Sequence, residues 1–260
     1  MDHKIELLFL GTAAADFSPR LKTDCKNRFD KNARRASCML VGTHYMIDCG
    51  MYALESLRIA KADISQITDI FLTHLHADHF NPENIAFIAD GKEKPLRIWV
   101  RRDAVLPDIA NTEIVPIPLH TVMPVSDEMT VESVDANHDP DAFPQYLVFT
   151  INGKRLMYAL DGAWFLTATY NYLRDRNLDM LVLDATCGDY TGDYRMAAHN
   201  SIPMIRLMLP SLKARGIIND QTRIYLSHLA PRLHLPHDET AALVAKDGLF
   251  VAYDGLELEL

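Results

Sequence analysis

The densest chemistry in the sequence lies in Thr73-His74-Leu75-His76-Ala77-Asp78-His79, where four residues able to bind a metal fall within six positions. The apolar run Ile67–Leu72 before it reads as a strand. His74 and His76 are two apart, so on an extended strand end both imidazoles face the same side. Asp78 and His79 follow where the chain must turn toward a helix opened by Pro82. The stretch therefore offers two imidazoles to one cation and a carboxylate plus an imidazole to another, about 3.5–4 Å away in a two-metal site. A lone histidine beside a strand is ordinarily a surface residue or a hydrogen-bonded core residue. Four ligand-type residues at one strand terminus, buried without a cation, would leave several polar groups and a charge uncompensated. The cluster is therefore read as a metal site.

With this stretch the sequence resembles the metallo-β-lactamase-fold superfamily, whose signature is H-x-H-x-D-H after a strand. The resemblance implies further ligands in chain order: a histidine after a downstream strand, an acidic residue ending a later strand, and a last histidine near the C-terminus. His138 follows Met129–Ala136, Asp161 follows Arg155–Leu160, and His228 follows Arg223–Leu226. Carried over residue by residue, one metal ion is expected on His74, His76 and His138 and a second on Asp78, His79 and His228, with Asp161 bridging. Zinc, manganese and iron all suit such a shell. The implied fold is α/β, a four-layer αββα sandwich. Asp48, Asp184, His44, His120, His234 and His237 are read as strand-end, loop or surface residues, with His120 and Asp184 open to recruitment behind the ligands.

Two ions bridged by Asp161 and a water would bring that water's pKa toward about 7 and polarise an electrophile, so the implied reaction is hydrolysis, with Asp78 and Asp161 in the catalytic set. Lactam-cleaving members of the superfamily generally use a cysteine or lack the bridging carboxylate, so Asp161 argues against β-lactams and leaves esters, thioesters and phosphodiesters. Leu8-Phe9-Leu10-Gly11-Thr12-Ala13, followed by Arg34-Arg35-Ala36-Ser37-Cys38, is similar to the opening of the phosphodiesterase branch. That branch includes the phosphonate-pathway cyclic phosphodiesterases and the tRNA 3′-processing ribonucleases of the ribonuclease Z type. His199-Asn200-Ser201 resembles the segment in which the branch places a histidine between the bridging Asp and the final His. The resemblance implies that His199 faces a phosphate, donating a hydrogen bond or a proton to the leaving oxygen, with a helix N-terminus behind it. Ser37 is a second expected substrate contact. Cyclic phosphodiesterases of the branch often bind a structural zinc through cysteines and a histidine in the first loop. Here Leu21–Asn32 offers only Cys25, and no such zinc is expected.

The favoured substrate is a small phosphodiester, cyclic or activated. The 260 residues carry 26 Lys+Arg against 35 Asp+Glu, a net charge of −9, and no Gly/Pro-rich basic arm that could clasp a tRNA, so a nucleic-acid partner is not expected. Two alternatives stay open: a ribonuclease Z-type endonuclease, and a non-hydrolytic metal-binding relative in cofactor biosynthesis.

Positioning these residues requires two series of strands. Lys4–Leu10, Cys38–Val41, His44–Asp48, Ile67–Thr73, Arg97–Val100 and Met129–Ala136 form the first. Tyr146–Ile151, Arg155–Leu160, Met180–Leu183, Arg223–Leu226 and Leu249–Ala252 form the second, with Asn152-Gly153 as a hairpin turn. Helices are expected over Tyr52–Ala60, Pro82–Ala89, Trp164–Arg174, Ser201–Arg215 and Asp238–Lys246, with Ser201 as an N-cap, Gly216 and Gly248 as left-handed C-terminal stops, and Pro210 kinking the fourth or ending it early. No repeat or flexible linker divides the chain, so residues 1–260 are taken as one domain, with room for a homodimer. Cys25, Cys38, Cys49 and Cys187 stand too far apart for a disulfide framework or a thiolate cage, which suits a reducing cytoplasm. The apolar stretch Ile5–Ala15 lacks a positive flank and reads as a buried strand rather than a signal peptide. No run approaches the roughly 20 apolar residues of a membrane span.

Overall fold

The computed structural model describes residues 5–260. The first sheet takes β1 (Glu6–Gly11), β2 (Cys38–Val41), β3 (Tyr45–Ile47), β4 (Asp69–Phe71), β5 (Leu96–Arg101) and β6 (Thr112–Ile117). The second takes β7 (Val122–Ser126), β8 (Met129–Asp135), β9 (Gln145–Ile151), β10 (Lys154–Ala159), β11 (Met180–Asp184), β12 (Arg223–Ser227) and β13 (Leu249–Val251), before β14 (Glu257–Glu259) returns to the first sheet beside β1. Strand order is β14-β1-β2-β3-β4-β5-β6 in one sheet and β13-β12-β11-β10-β9-β8-β7 in the other.

Period-two patterning explains the layering. Along β1, Leu7 and Phe9 enter the core between the sheets, while Leu8 and Leu10 face the outer helices. Along β10 and β11, Leu156, Tyr158, Met180 and Val182 point inward, whereas Met157, Ala159, Leu181 and Leu183 point outward. Sheets buried on both faces must be covered by helices. Helices α1 (Ala53–Ala60) and α2 (Pro82–Ala89) pack on the first sheet, and α3 (Thr167–Tyr172), α4 (Ile202–Ala214) and α5 (His237–Ala245) lie on the second. The result is the expected αββα sandwich.

Eleven strands lie where the apolar runs place them, with Lys4 outside the described residues. Strands β6, β7 and β14 were not read from sequence. They are edge or near-edge strands, half exposed, carrying Pro116, Pro124 and two glutamates respectively, and their hydrogen-bonded neighbours define them. The third helix is shorter than expected. Helix α4 does not stop at Pro210 but runs on to Ala214, because Pro210 stands on the solvent face while Ile205, Met208 and Leu212 anchor the opposite side. Gly216 and Gly248 take positive φ after α4 and α5, and Asn152 and Gly153 form the left-handed pair that a tight hairpin demands. The four cysteines are buried and free. No helix among the described residues is long and apolar enough to cross a membrane.

Strands β3, β4 and β5 are mutually parallel, as are β10, β11 and β12. Their C-terminal ends therefore gather along one rim of the sandwich, where loops can approach a common point. The chain after β1 crosses between the sheets there, with Leu229 N donating to Thr12 O at 2.9 Å and Ala14 N to Leu229 O at 3.2 Å.

Candidate metal centre

Each residue singled out for metal stands just beyond a strand on that rim. After β4, Thr73 O accepts from Gln145 N at 2.9 Å, and His79 N and Phe80 N both return to His76 O, closing the turn that holds Asp78 and His79. Cys49 N donates to His79 O at 2.7 Å, clamping this turn to the end of β3. Gly50 sits where the backbones meet, and any Cβ there would strike the Asp78 carbonyl. Asp48, Asp161 and His228 adopt φ of 61°, 56° and 57°. This left-handed conformation costs a non-glycine residue about 1 kcal/mol or more. The fold imposes it at three strand ends, bringing Asp161 and His228 together and setting Asp48 behind His79.

The turned side chains meet. His74, His76, His138 and Asp161 form one set whose ligand atoms lie within 4.8 Å of one another, and Asp78, His79, Asp161 and His228 form a second. Asp161 Oδ2 lies 3.0 Å from His74 Nε2 and 3.4 Å from both His79 Nε2 and His228 Nε2, and Oδ1 lies 3.5 Å from His138 Nε2. A third set joins Asp161, Asp184, His199 and His228. His199 Nδ1 is 3.0 Å from Asp161 Oδ1 and 3.2 Å from Asp184 Oδ2.

The residues behind the rings fix which nitrogen faces inward. Asp48 Oδ2 accepts the Nδ1 proton of His79 at 2.7 Å. Thr73 Oγ1 donates to Asp48 and accepts from His74 Nδ1 at 3.1 Å. Thr186 Oγ1 and Asp184 Oδ2 hold His228 Nδ1 at 2.7 and 3.2 Å, and Ala198 O holds His138 Nδ1 at 3.3 Å. With each Nδ1 engaged from behind, four Nε2 atoms point into the same space. His79 Nε2 and His228 Nε2 face each other at 3.2 Å, and His74 Nε2 faces Asp161 Oδ2 at 3.0 Å. Asp161 Oδ1 is buried without an aligned hydrogen bond. Imidazoles and carboxylates gathered at these distances form a donor set that suits a transition-metal ion.

The electrostatics follow from the same convergence. Burial opposes charge on His79 and His228, yet Asp48 and Asp78 raise the first and Asp161, Asp184 and Asp78 raise the second to about 9. Burial also opposes charge on His199, but Asp161 and Asp184 raise it to about 10. Burial and the neighbouring His79 lower His74 to about 4. Burial likewise resists ionisation of Asp78, Asp161 and Asp184, but the surrounding imidazoles hold all three carboxyls below the usual range.

Not every expected contact is here. Ser37 is fully buried and donates to Ala13 O at 2.9 Å, away from the cavity. Arg34 donates to Thr12 Oγ1 and Ala252 O, and Arg35 to Glu55 and Cys25 O, so both arginines clamp the loop after β1 internally. The first amides of α4 are taken by Gly188 O and by Ser201, leaving no free helix N-terminus behind His199. His120 pairs with Asp135 at 3.0 Å, outside the cavity lining. The residues that sequence reading passed over are Asp48, Thr73 and Thr186, which orient the rings, together with Asp184, left open as a supporting residue. Their one local signal is a polar residue ending an otherwise apolar strand. The cavity, about 210 Å³, is lined by Ala14, Asp16, Asp161, Arg195, His199 and His228 among others.

In overall shape the chain matches the metallo-β-lactamase fold protein YhfI from Bacillus subtilis with a TM-score of 0.74 and 14% identity, covering 99% of this chain and 100% of that one. The chain adopts the metallo-β-lactamase fold. A second structure of this fold class, a diphosphatase from the PhnP family, superposes with a TM-score of 0.74 and 21% identity over 98% of each chain. In sequence, the family of the Anti-Pycsar protein Apyc1 matches residues 5–105. The zinc phosphodiesterase ELAC protein 1 of Mus musculus is 30% identical over 146 residues, half (50%) of this chain and 37% of that protein. Ribonuclease Z of Methanothermobacter thermautotrophicus is 32% identical over 98 residues, 36% of this chain and 29% of its own length. The matched region thus spans well under half of either relative. The expectation against a nucleic-acid partner, drawn from net charge, gains no support from relatives that include a ribonuclease by name.

Proposed function

We propose that this metallo-β-lactamase-fold protein is a dinuclear metal-dependent hydrolase that cleaves a small phosphodiester. The observation that carries the reading is the convergence of four Nε2 atoms on the shared Asp161 carboxylate. Divalent ions held by His74, His76 and His138 on one side and by Asp78, His79 and His228 on the other, with Asp161 common to both, would supply an activated water near neutral pH and a Lewis acid toward the phosphoryl oxygen.

The chain's own residues do the rest. Asp48, Thr73, Thr186 and Asp184 fix the tautomers of the ligand rings, so no reorganisation is needed when charge develops. His199 donates a hydrogen bond from Nδ1 to Asp184 at 3.2 Å, and as an imidazolium it would carry a second proton on Nε2 to pass to a departing alkoxide, ending as the neutral ring. The cavity of about 210 Å³ is smaller than the roughly 300 Å³ at which drug-sized sites begin. It seats the reacting group and leaves the remainder of the substrate at the rim, which suits a small phosphodiester and also the end of a longer strand. The relatives named phosphodiesterase and ribonuclease support phosphodiester chemistry over ester or thioester chemistry.

The deciding experiment compares metal-loaded protein on chromogenic phosphodiester, phosphomonoester, thioester and β-lactam substrates, with a short RNA as a further arm. Phosphodiester turnover abolished by chelation and restored by added metal is the expected result. Preference for a thioester, or none of these activities in protein carrying both ions, would overturn it.

A further inference from the structure

One arginine lines the metal cavity among the described residues, Arg195. The other lining side chains that carry charge include the acids Asp16, Asp78 and Asp161. Arg34 and Arg35 are spent on internal contacts, and Arg232 lies outside the lining, 85% exposed and 3.5 Å from Asp16. Arg195 is different in kind. It sits on the short 3-10 turn Tyr194–Ala197, and its carbonyl accepts from His199 N at 2.9 Å, so one turn carries both the arginine and the candidate proton donor. Asp193 caps that turn through Arg195 N at 2.9 Å and grips the same residue's Nε and Nη2 at 2.9 and 2.8 Å. Nη1 makes no hydrogen bond among the described residues. The guanidinium is thus anchored along its Nε–Nη2 edge, with its Cζ 5.8 Å from the Tyr194 ring centroid and Nη1 left to donate.

We propose that Arg195 is the anion-recognising residue of this cavity, donating from Nη1 to a non-bridging oxygen of the phosphate group. The inference rests on the phosphodiester reading and specifies its ground. A phosphoryl group under attack spreads charge over its equatorial oxygens, and an arginine matches that array with planar, directional donors where a lysine offers only a point charge. The side chains of Arg195 and Asp193 are 31% and 16% exposed, so their pair is a partly solvated one worth little by itself, and sharing the guanidinium with a substrate oxygen costs little. Asp193 acts through Arg195 as a positioning residue.

The test uses metal-loaded parent, Arg195→Ala and Arg195→Lys, each with ion content and circular dichroism measured first. Binding of inorganic phosphate is read by calorimetry, and kcat and KM on an aryl phosphodiester are read separately. The expected result is at least about tenfold weaker phosphate binding in Arg195→Ala and a loss of about 10²-fold in kcat/KM. Guanidinium ion added to the medium should restore part of the rate in Arg195→Ala alone, which a merely structural role would not produce. Arg195→Lys should fall between the other two. Unchanged phosphate binding in a folded, metal-replete Arg195→Ala would overturn the proposal. If the parent binds phosphate through Arg195 yet hydrolyses no phosphodiester, the reaction assigned above fails and the anion site stands.

Discussion

Asp48 Oδ2 accepts the Nδ1 proton of His79 at 2.7 Å, both side chains being fully buried, and this bond sets which ring nitrogen faces the shared Asp161. The aspartate directly follows β3 and the histidine follows β4, so two neighbouring parallel strands position a ring and the group that orients it. Removing the charge while keeping the shape should expose the relationship. Asp48→Asn is expected to weaken metal affinity about 10–100-fold without unfolding the chain, measured by competition with a chromophoric chelator. Unaltered affinity would show that His79 needs no such support.

Metal content tests the two-set arrangement itself. Purified protein should carry about two ions per chain. Asp161→Ala should deplete both together, because its carboxylate touches ligands of both sets, whereas His138→Ala should lower mainly one. Elemental analysis after gentle dialysis decides the matter, and fewer than one ion in the parent would sink the dinuclear reading.

For His199, the leaving group is the diagnostic. His199→Ala should keep both ions and lose about 10²–10⁴-fold in rate on an alkyl phosphodiester. The deficit should shrink on a nitrophenyl ester, whose anion departs without a proton. Equal deficits on both substrates would leave His199 no part as an acid, and loss of an ion would make it a ligand within the set of Asp161, Asp184 and His228.

A pH-dependent stability term is expected from His237. Burial and the Arg34 guanidinium, 3.1 Å from its Nδ1, lower its pKa to about 4, against about 6.5 in an unfolded chain. Between those values the unfolded state binds more protons, so the stability from the neutral ring is complete above about pH 6.5 and is lost as pH falls toward 4. In urea titrations the advantage of the parent over His237→Gln should shrink across that interval. A difference that stays constant from pH 7 to 4 would refute it.

Arg35 is predicted to matter to folding rather than to substrate. Its side chain is fully buried between Glu55 at 2.7 Å and Asp254 at 3.8 Å, with Cys25 O at 2.6 Å. Arg35→Met leaves the buried Asp254 without that neighbour and should cost about 3 kcal/mol or more. Chemical denaturation of metal-loaded protein gives the number, and a loss below about 1 kcal/mol would mean the cluster relaxes around the change.

The sequence by itself determined the sandwich and the candidate ligands. Alternating apolar residues fix which face of β1, β10 or β11 is buried, and the strand-end spacing of His74, His76, Asp78 and His79 is a local property of extended chain. His138, Asp161 and His228 were legible only through the resemblance to the metallo-β-lactamase fold, whose ligand order points to a histidine, an acid and a last histidine after later strands. What only the tertiary structure decided depends on neighbours distant in the chain. The edge strands β6, β7 and β14 exist because partners supply their hydrogen bonds, and α4 passes Pro210 because its other face is anchored. Asp48 and Asp184 read as ordinary strand ends until the parallel strands set them behind His79 and His228. Ser37 was expected at the substrate, yet packing turns it inward, and the neighbouring Arg34 and Arg35 are buried with it. Arg195 gave no signal at all, since a charged residue on a surface turn acquires meaning only when that turn closes over the rim where two sheets meet.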